Sequence, residues 1–364
     1  MTDLFSSTSI ENEPERRGRA LLVVVGSLVL VLLLAFFGGR AVFGRFGGSA
    51  PDYDGPGSGE VVAQVTRGDS ASAIGGRLAA LDVVKSAKAF RAVASDDERS
   101  RGIQPGYYRM RSKMSARAAL DRLLDPAARI RSRYTIPEGS TVAKTLQIIS
   151  KSVEKMPLAD LQAAVAKSAA LGLPDYARGR VEGFLFPATY DVEPGTSAVE
   201  VLQAMVRRFA LAAEAHSLVE SARAVGRTPH EVLVLASLIE GEAGTATDRG
   251  KVARVAYNRL KQGMRLEFDA TIKYAFALRG ETKTRILLRD LEIDSPYNTY
   301  RRTGLPPTPI SSPGDAAIRA ALEPTPGPWL YFVVIDKQGN SAFTASYEEF
   351  LRLKARYQRD VLGR

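Results

Sequence analysis

The chain has no cysteine, only two histidines and a single tryptophan in 364 residues. Without a thiol there is no disulfide framework, no thiolate nucleophile and no cysteine-based zinc site. His216 and His230 form neither an H-E-x-x-H nor an H-x-H spacing, so no metal and no cofactor is expected. Acid–base chemistry is left to carboxylates. A cysteine-free chain fits either side of a membrane, so the compartment has to be read from other features.

One such feature is residues 20–39, ALLVVVGSLVLVLLLAFFGG, which carry no charge. A run of this length matches one bilayer crossing as a helix. Arg16, Arg17 and Arg19 precede it, and Arg40 and Arg45 follow. The bias predicts a single-pass anchor in the cell (inner) membrane, with the N-terminus cytoplasmic and the bulk of the chain extracytoplasmic. A cleaved signal peptide is the competing reading, but the run is long for one and GGRAVFGRFGG offers no A-x-A site. The formal net charge is +10. Residues 1–19 hold four acids and three arginines, so the remainder is more basic still. An anionic partner such as cell-wall polymer or lipid headgroups fits that balance. Nucleic acid fits the charge but not the compartment, and is not expected as a partner.

The pattern along the chain predicts an α+β protein in five parts. Residues 1–19 read as a cytoplasmic tail, 20–39 as the transmembrane helix and 40–59, rich in Gly, Pro and Ser, as a flexible linker. Residues 60–125 read as a small βααβ unit: a strand alternating at Val61, Ala63 and Val65, helices capped by Ser70 and Ser86, and a returning strand at Gly106 to Met110. The first helix carries Ile74, Leu78 and Leu81 inward; the second carries Phe90 and Val93. That order resembles a LysM-type glycan-binding module. Residues 126–364 read as a mixed α+β domain: a strand to Ile136, a turn at Pro137-Glu138-Gly139, and helices over 141–153, 158–170 and from about 198. Ser197 with Glu200 and Thr228 with Glu231 are capping boxes, the second with Pro229 at the favoured first position. His230 is then a solvated first-turn residue.

The helix opened by Thr228 runs into LVLASLIEGEAG. Val232, Leu235, Ala236 and Ile239 form a core stripe, and Leu233, Ser237 and Glu240 the stripe beside it. Glu240 therefore ends an apolar run with only small residues near it, Ser237 and Gly241, where a ligand could approach closely. An apolar surround and the negative end of the helix dipole both favour the protonated form of a carboxyl, as a general acid requires. Glu242 lies about 200° further round a regular helix and points elsewhere. A second helix is expected from about 248 to 262, stopped by Gly263. Met264 to Asp269 alternates and reads as a half-buried strand with Arg265, Glu267 and Asp269 on its polar face. The cluster Ser295-Pro-Tyr297-Asn298-Thr299-Tyr300 offers flat rings and neutral hydrogen bonds suited to sugars. Trp329 to Ile335 reads as a buried strand, with Ser341 to Phe343 as its hairpin partner.

Five stretches, in this order, resemble the motifs of the YceG-like endolytic murein transglycosylase (MltG) family. They are Val181-Glu-Gly-Phe-Leu-Phe-Pro187, Leu235-Ala-Ser-Leu-Ile-Glu240, Asn258-Arg-Leu260 with Gly263-Met-Arg-Leu266, Ser295 to Tyr300 with Gly304-Leu-Pro-Pro307, and Pro324 with Tyr331-Phe-Val333. The similarity covers most of residues 20–350. Departures are Glu267, where the family often has Gln or another polar residue, Ala270 in place of a usual Pro, Ala188 in place of a common Asp, and Phe350 where His is frequent. They bear on substrate contacts rather than on the reaction.

The resemblance implies a lyase that cleaves the β-1,4 bond between N-acetylmuramic acid and N-acetylglucosamine within a peptidoglycan strand, leaving a 1,6-anhydro end and terminating nascent strands. Glu240 is the implied catalytic residue, with Glu242, Glu267 and Asp269 as supporting acids. Ser237, Asn258, Tyr297, Asn298 and Thr299 are the candidate sugar contacts. Peptidoglycan synthases are implied partners. Two other classes remain open: a non-catalytic, membrane-anchored peptidoglycan-binding scaffold, and a hydrolytic muramidase, which would need a second carboxylate at the bond.

Overall fold

The structure is a computed structural model that describes residues 50–360. The expected cytoplasmic tail, the transmembrane helix and the first part of the linker lie outside the described residues. Among the described residues no helix is long and apolar enough to cross a membrane. The chain divides into two compact units after Arg129.

In the first unit, strand β1 (Pro56–Val65) pairs antiparallel with β2 (Gly106–Met114), from Val65 opposite Gly106 to Pro56 opposite Met114. Helices α1 (Ala71–Ala80) and α2 (Ala87–Asp96) lie between them in sequence, and α3 (Ala116–Leu124) follows. Ser70, Ser86 and Ser115 each accept the backbone N–H three residues on, the N-cap bond that starts each helix. Ile74, Leu78, Phe90, Met110 and Leu120 are buried together. Leu81 is the C-cap of α1 and is largely exposed, not inward. Helix α3 is absent from the sequence reading, although Ala119, Leu120 and Leu123 have helical spacing.

The glycine-rich stretch that reads as linker is in part β1 itself. Gly57 has a φ of 69° and lies against Ser112, where a Cβ would collide with its carbonyl oxygen. The register shifts between Ser58 and Val61, a bulge that absorbs the irregular glycines. Glycine here serves close approach and left-handed backbone rather than flexibility.

The second unit begins with β3 (Ser132–Thr135), antiparallel to β4 (Thr189–Val192). Helices α4 (Val142–Ser152) and α5 (Leu158–Ala166) lie between these strands in sequence. Then come α6 (Ala198–Ala215), α7 (Leu218–Ala224), α8 (Pro229–Glu242), α9 (Arg249–Lys261), α10 (Asp269–Ala277) and α11 (Asp315–Leu322). Both capping boxes, Ser197/Glu200 and Thr228/Glu231, are formed. A hairpin of β5 (Tyr331–Val334) and β6 (Ser341–Thr344) follows, with α12 (Tyr347–Asp360) packed on it.

Helix α8 is the centre of this unit. Every residue from Val232 to Ile239 is buried, and α7, α9, α10 and α11 all pack on it. The expected pair of stripes is therefore burial on all sides, the state of a helix with no outer face. Two strand expectations change. Residues 264–268 form no ladder: Leu266 and Phe268 are buried and Arg265 and Glu267 exposed, as alternation requires, but Glu267 has a φ of 55° and breaks the extended run. The strand at Tyr331–Val334 is half-buried rather than buried, and Ile335 is largely exposed.

Candidate active site

Glu240 lies in the last turn of α8, and its side chain is 7% exposed. Its Oε1 accepts from Nη2 of Arg249 at 3.2 Å, and its Oε2 accepts the backbone N–H of Gly314 at 3.0 Å. Arg249 is the first residue of α9 and Gly314 the N-cap of α11. The small-residue surround expected from sequence is thus completed by a cation and a helix start, which orient the carboxyl.

The start of α9 is held from several sides. Asp248 accepts the N–H of Ser341 at 2.9 Å. Gly244 packs on Gly339 and Gly250 on Thr325 so tightly that a Cβ at either glycine would overlap its neighbour. The hairpin β5–β6 and the segment before it therefore fix where Arg249 begins.

A further carboxylate, Glu138, comes from the loop after β3, which sequence patterning reads only as a turn. Its Oε2 lies 3.8 Å from the same Nη2 of Arg249. Burial raises its carboxyl above the ordinary value; the neighbouring charge of Glu240 adds to this and Arg249 opposes it. The loop is pinned by Gly139 N–H to Ser312 O and Ser312 N–H to Ser140 O, both at 2.9 Å. Gly139 has a φ of 72°, so the turn favours glycine, and its Cα faces Glu240.

A cleft of about 270 Å³ is lined by Gly139 and Thr141 and by Gly241, Ala270, Lys273 and Tyr274; it takes in the residue that follows each acid, Gly139 and Gly241, but neither acid itself. Gly241 lines it, but it also lets α10 approach: a Cβ there would lie 2.7 Å from that of Ala270.

Glu242 turns to a different neighbour. Its Oε1 accepts the N–H of Ala270 at 2.7 Å, at the start of α10. Although part of the residue meets solvent, desolvation of its carboxyl pushes the pKa up to about 8, with the charge of Asp269 adding and Lys273 opposing. Glu182 is a buried acid that sequence reasoning quotes only as part of a motif. It accepts from Val142 N–H at 2.9 Å and Tyr274 O–H at 3.1 Å, and burial pushes it up to about 7 against those bonds. The signal for it was an acid inside the apolar run VEGFLFP.

The other supporting acids lie apart from Glu240's own partners. Glu267 accepts from Arg259 Nη1 at 3.1 Å, and Asp269 accepts from Tyr300 O–H at 2.7 Å. Each of the five candidate sugar contacts has side-chain polar atoms bonded within the fold. Ser237 is fully buried, donates to Val234 O and accepts from Ile310 N–H. Asn258 donates to Gly327 O and Trp329 O. Asn298 donates to Leu291 O and Ile293 O and accepts from Tyr300 N–H. Thr299 accepts from Phe268 N–H and shares a hydrogen bond with Thr271; Tyr297 shares one with Thr308. Polar groups buried this way are anchors for loops. His230 shares a hydrogen bond with Pro307 O, and His216 lies 3.1 Å from Asp315. Among the described residues no group of His, Asp and Glu is placed to hold a metal ion.

Residues 63–356 match the sequence profile of the YceG-like family. The chain belongs to the YceG-like family. A protein named endolytic murein transglycosylase from Bacillus subtilis (strain 168) is 35% identical over 311 residues, covering 80% of this chain and 83% of that protein. A protein of the same name from Streptococcus pneumoniae serotype 2 (strain D39) is 30% identical over 287 residues, 72% of this chain. The chain spans about half the length of that pneumococcal relative, 52%. A crystal structure of a yceG-like protein from Listeria monocytogenes superposes with a TM-score of 0.55 at 30% identity, covering 81% of this chain and 99% of the other.

Proposed function

We propose that this YceG-like chain is an endolytic lytic transglycosylase of peptidoglycan, a lyase, with Glu240 as its acid and base. The observation that carries the reading is one buried carboxyl at the end of α8, held by Arg249 and the Gly314 N–H, with the next residue, Gly241, lining an open cleft. In the reaction, protonated Glu240 gives its proton to the oxygen that links N-acetylmuramic acid to N-acetylglucosamine. The C1–O bond breaks, and the leaving sugar departs as an alcohol. The 6-hydroxyl of the same muramyl ring then bonds to C1, and the Glu240 carboxylate takes its proton. No water is consumed, and Glu240 ends protonated for the next cycle. A buried, preoriented carboxyl suits both proton transfers because it needs little reorganisation.

The finer parts of the reading rest on sequence and local geometry. The apolar run 20–39 supports a single-pass membrane anchor with the catalytic unit outside, where nascent strands are cut and their elongation ends. Peptidoglycan synthases are the partners such a placement suits. In the first unit, a cleft of about 360 Å³ lies between the β1–α1 turn, with Thr66 and Asp69, and the segment before β2, with Arg101 and Ile103. Its polar and apolar lining supports a LysM-like glycan contact.

One observation favours hydrolysis as a second reading: Glu138 supplies a second carboxylate beside the first, as glycosidases that use water require. The deciding experiment is digestion of purified glycan strands by the full-length protein, with the products weighed. Anhydro-muramyl ends support the transglycosylase. Ends heavier by one water establish the muramidase, and intact strands leave only the scaffold reading.

A further inference from the structure

Two acids meet at one nitrogen of Arg249. Nη2 lies 3.2 Å from Glu240 Oε1 and 3.8 Å from Glu138 Oε2. Nε of the same guanidinium is buried without a hydrogen-bond partner among the described residues. Gly314 links the acids a second time. Its N–H donates to Glu240, while the carboxyl of Glu138 lies over its Cα, in the space a Cβ would fill. The acids differ in access: the Glu240 side chain is 7% exposed and that of Glu138 49%. A single cation therefore serves one enclosed acid and one open acid.

We propose that Glu138 is a positioning residue for the reaction: it holds one side of the Arg249 guanidinium, keeps that charge divided between two carboxylates, and so leaves Glu240 able to carry the proton that the leaving oxygen needs. The proposal rests on Glu240 being the general acid. A cation that meets two carboxylates in an enclosed site divides its attraction between them, because charges at this range are weakly screened there. Asp315, at the start of α11, is a further charge acting on Glu138, and His216 lies 3.1 Å from Asp315. Neither is within ion-pair distance of Arg249 among the contacts described, so Glu138 is the group that competes for it.

Two substitutions separate charge from position. Glu138→Gln removes the competing charge. Gly314→Ala keeps that charge and the Gly314 N–H but puts a methyl where the Glu138 carboxyl lies. Backbone φ at 314 is −83°, ordinary for alanine, and the group displaced is the end of a flexible side chain. The full-length protein in detergent micelles is assayed on purified glycan strands from pH 4.5 to 8.5, with melting temperatures. In both variants kcat at pH 7 should fall about ten-fold with KM within about two-fold, the alkaline limb of the profile should move about one unit toward acid, and kcat should recover at lower pH. An unchanged profile in both variants overturns the proposal and leaves the Glu240 reading intact, provided that Glu240→Gln is inactive. A loss equal at every pH overturns it too, and assigns Glu138 to structure or to direct attack. If Glu138→Gln does not fold, Gly314→Ala alone decides. Activity in Glu240→Gln removes both readings.

Discussion

Gly241 and Ala270 are in contact across the α8–α10 interface, and a Cβ at 241 would lie 2.7 Å from that of Ala270. The glycine that follows Glu240 is thus set by packing. Gly241→Ala gains helix propensity of about 1 kcal/mol, but overpacking costs about 1–3 kcal/mol. Since α10 also carries Lys273 and Tyr274 of the cleft wall, displacing it should lower activity more than stability. The expected result is a melting temperature lower by a few degrees and a raised KM for glycan. An unchanged KM would mean that the wall is not part of the substrate path.

Glu240→Gln keeps the shape of the acid and its acceptor oxygen but removes the transferable proton. General acid–base catalysis contributes about 10²- to 10⁴-fold, and one group performing both transfers should lie at the top of that range. Arg249 loses its best partner, so a stability loss of roughly 1–2 kcal/mol is also expected. Turnover and melting should be measured on the same preparation. Substantial turnover by a folded variant would reject Glu240 as the acid.

Glu182 makes stability depend on pH. Its carboxyl is raised from 4.5 to about 7 in the folded state. Between those values the folded chain binds more protons than the unfolded one, so stability is greatest at the acid end and falls as pH rises. Glu242, raised to about 8, adds in the same direction over a slightly wider window. A shift of this size corresponds to a few kcal/mol, on the order of 3. Glu182→Gln should flatten part of the fall in melting temperature between pH 5 and pH 8. The same slope in wild type and variant would assign the pH dependence to other groups.

Asn258 separates a loop anchor from a sugar contact. Its amide holds Gly327 O at 3.0 Å and Trp329 O at 2.8 Å. Asn258→Ala leaves two part-buried carbonyls without their donor, a loss of about 1 kcal/mol or somewhat more. The melting temperature should fall while the folded fraction keeps its KM. A raised KM with unchanged melting would restore a substrate role.

Local signals were legible in the sequence and distant ones were not. The capping boxes at Ser197/Glu200 and Thr228/Glu231 involve residues three apart, and both form as read. The hairpin at Val334 and Ser341 follows from a short turn between apolar runs. The surroundings of Glu240 come from Glu138, Arg249 and Gly314, which sit on three other segments, and no local pattern joins them. Asn298 and Thr299 looked like sugar contacts because polar residues beside aromatics have the same chemistry in a binding face as in a loop anchor. Only the positions of Leu291 O, Ile293 O and Phe268 N–H tell the two apart. Alternation at 264–269 was real in burial, but a single left-handed residue, Glu267, prevented a strand.

Helix α8 has no solvent face between Val232 and Ile239. An element enclosed in this way opens only when the whole unit does. Its amides should therefore be among the slowest to exchange with deuterium, and Glu240, in the turn that follows this stretch, starts from a fixed support. With Glu240 as the proposed acid, the glycan polymer rather than the protein would have to supply the flexibility when the two meet.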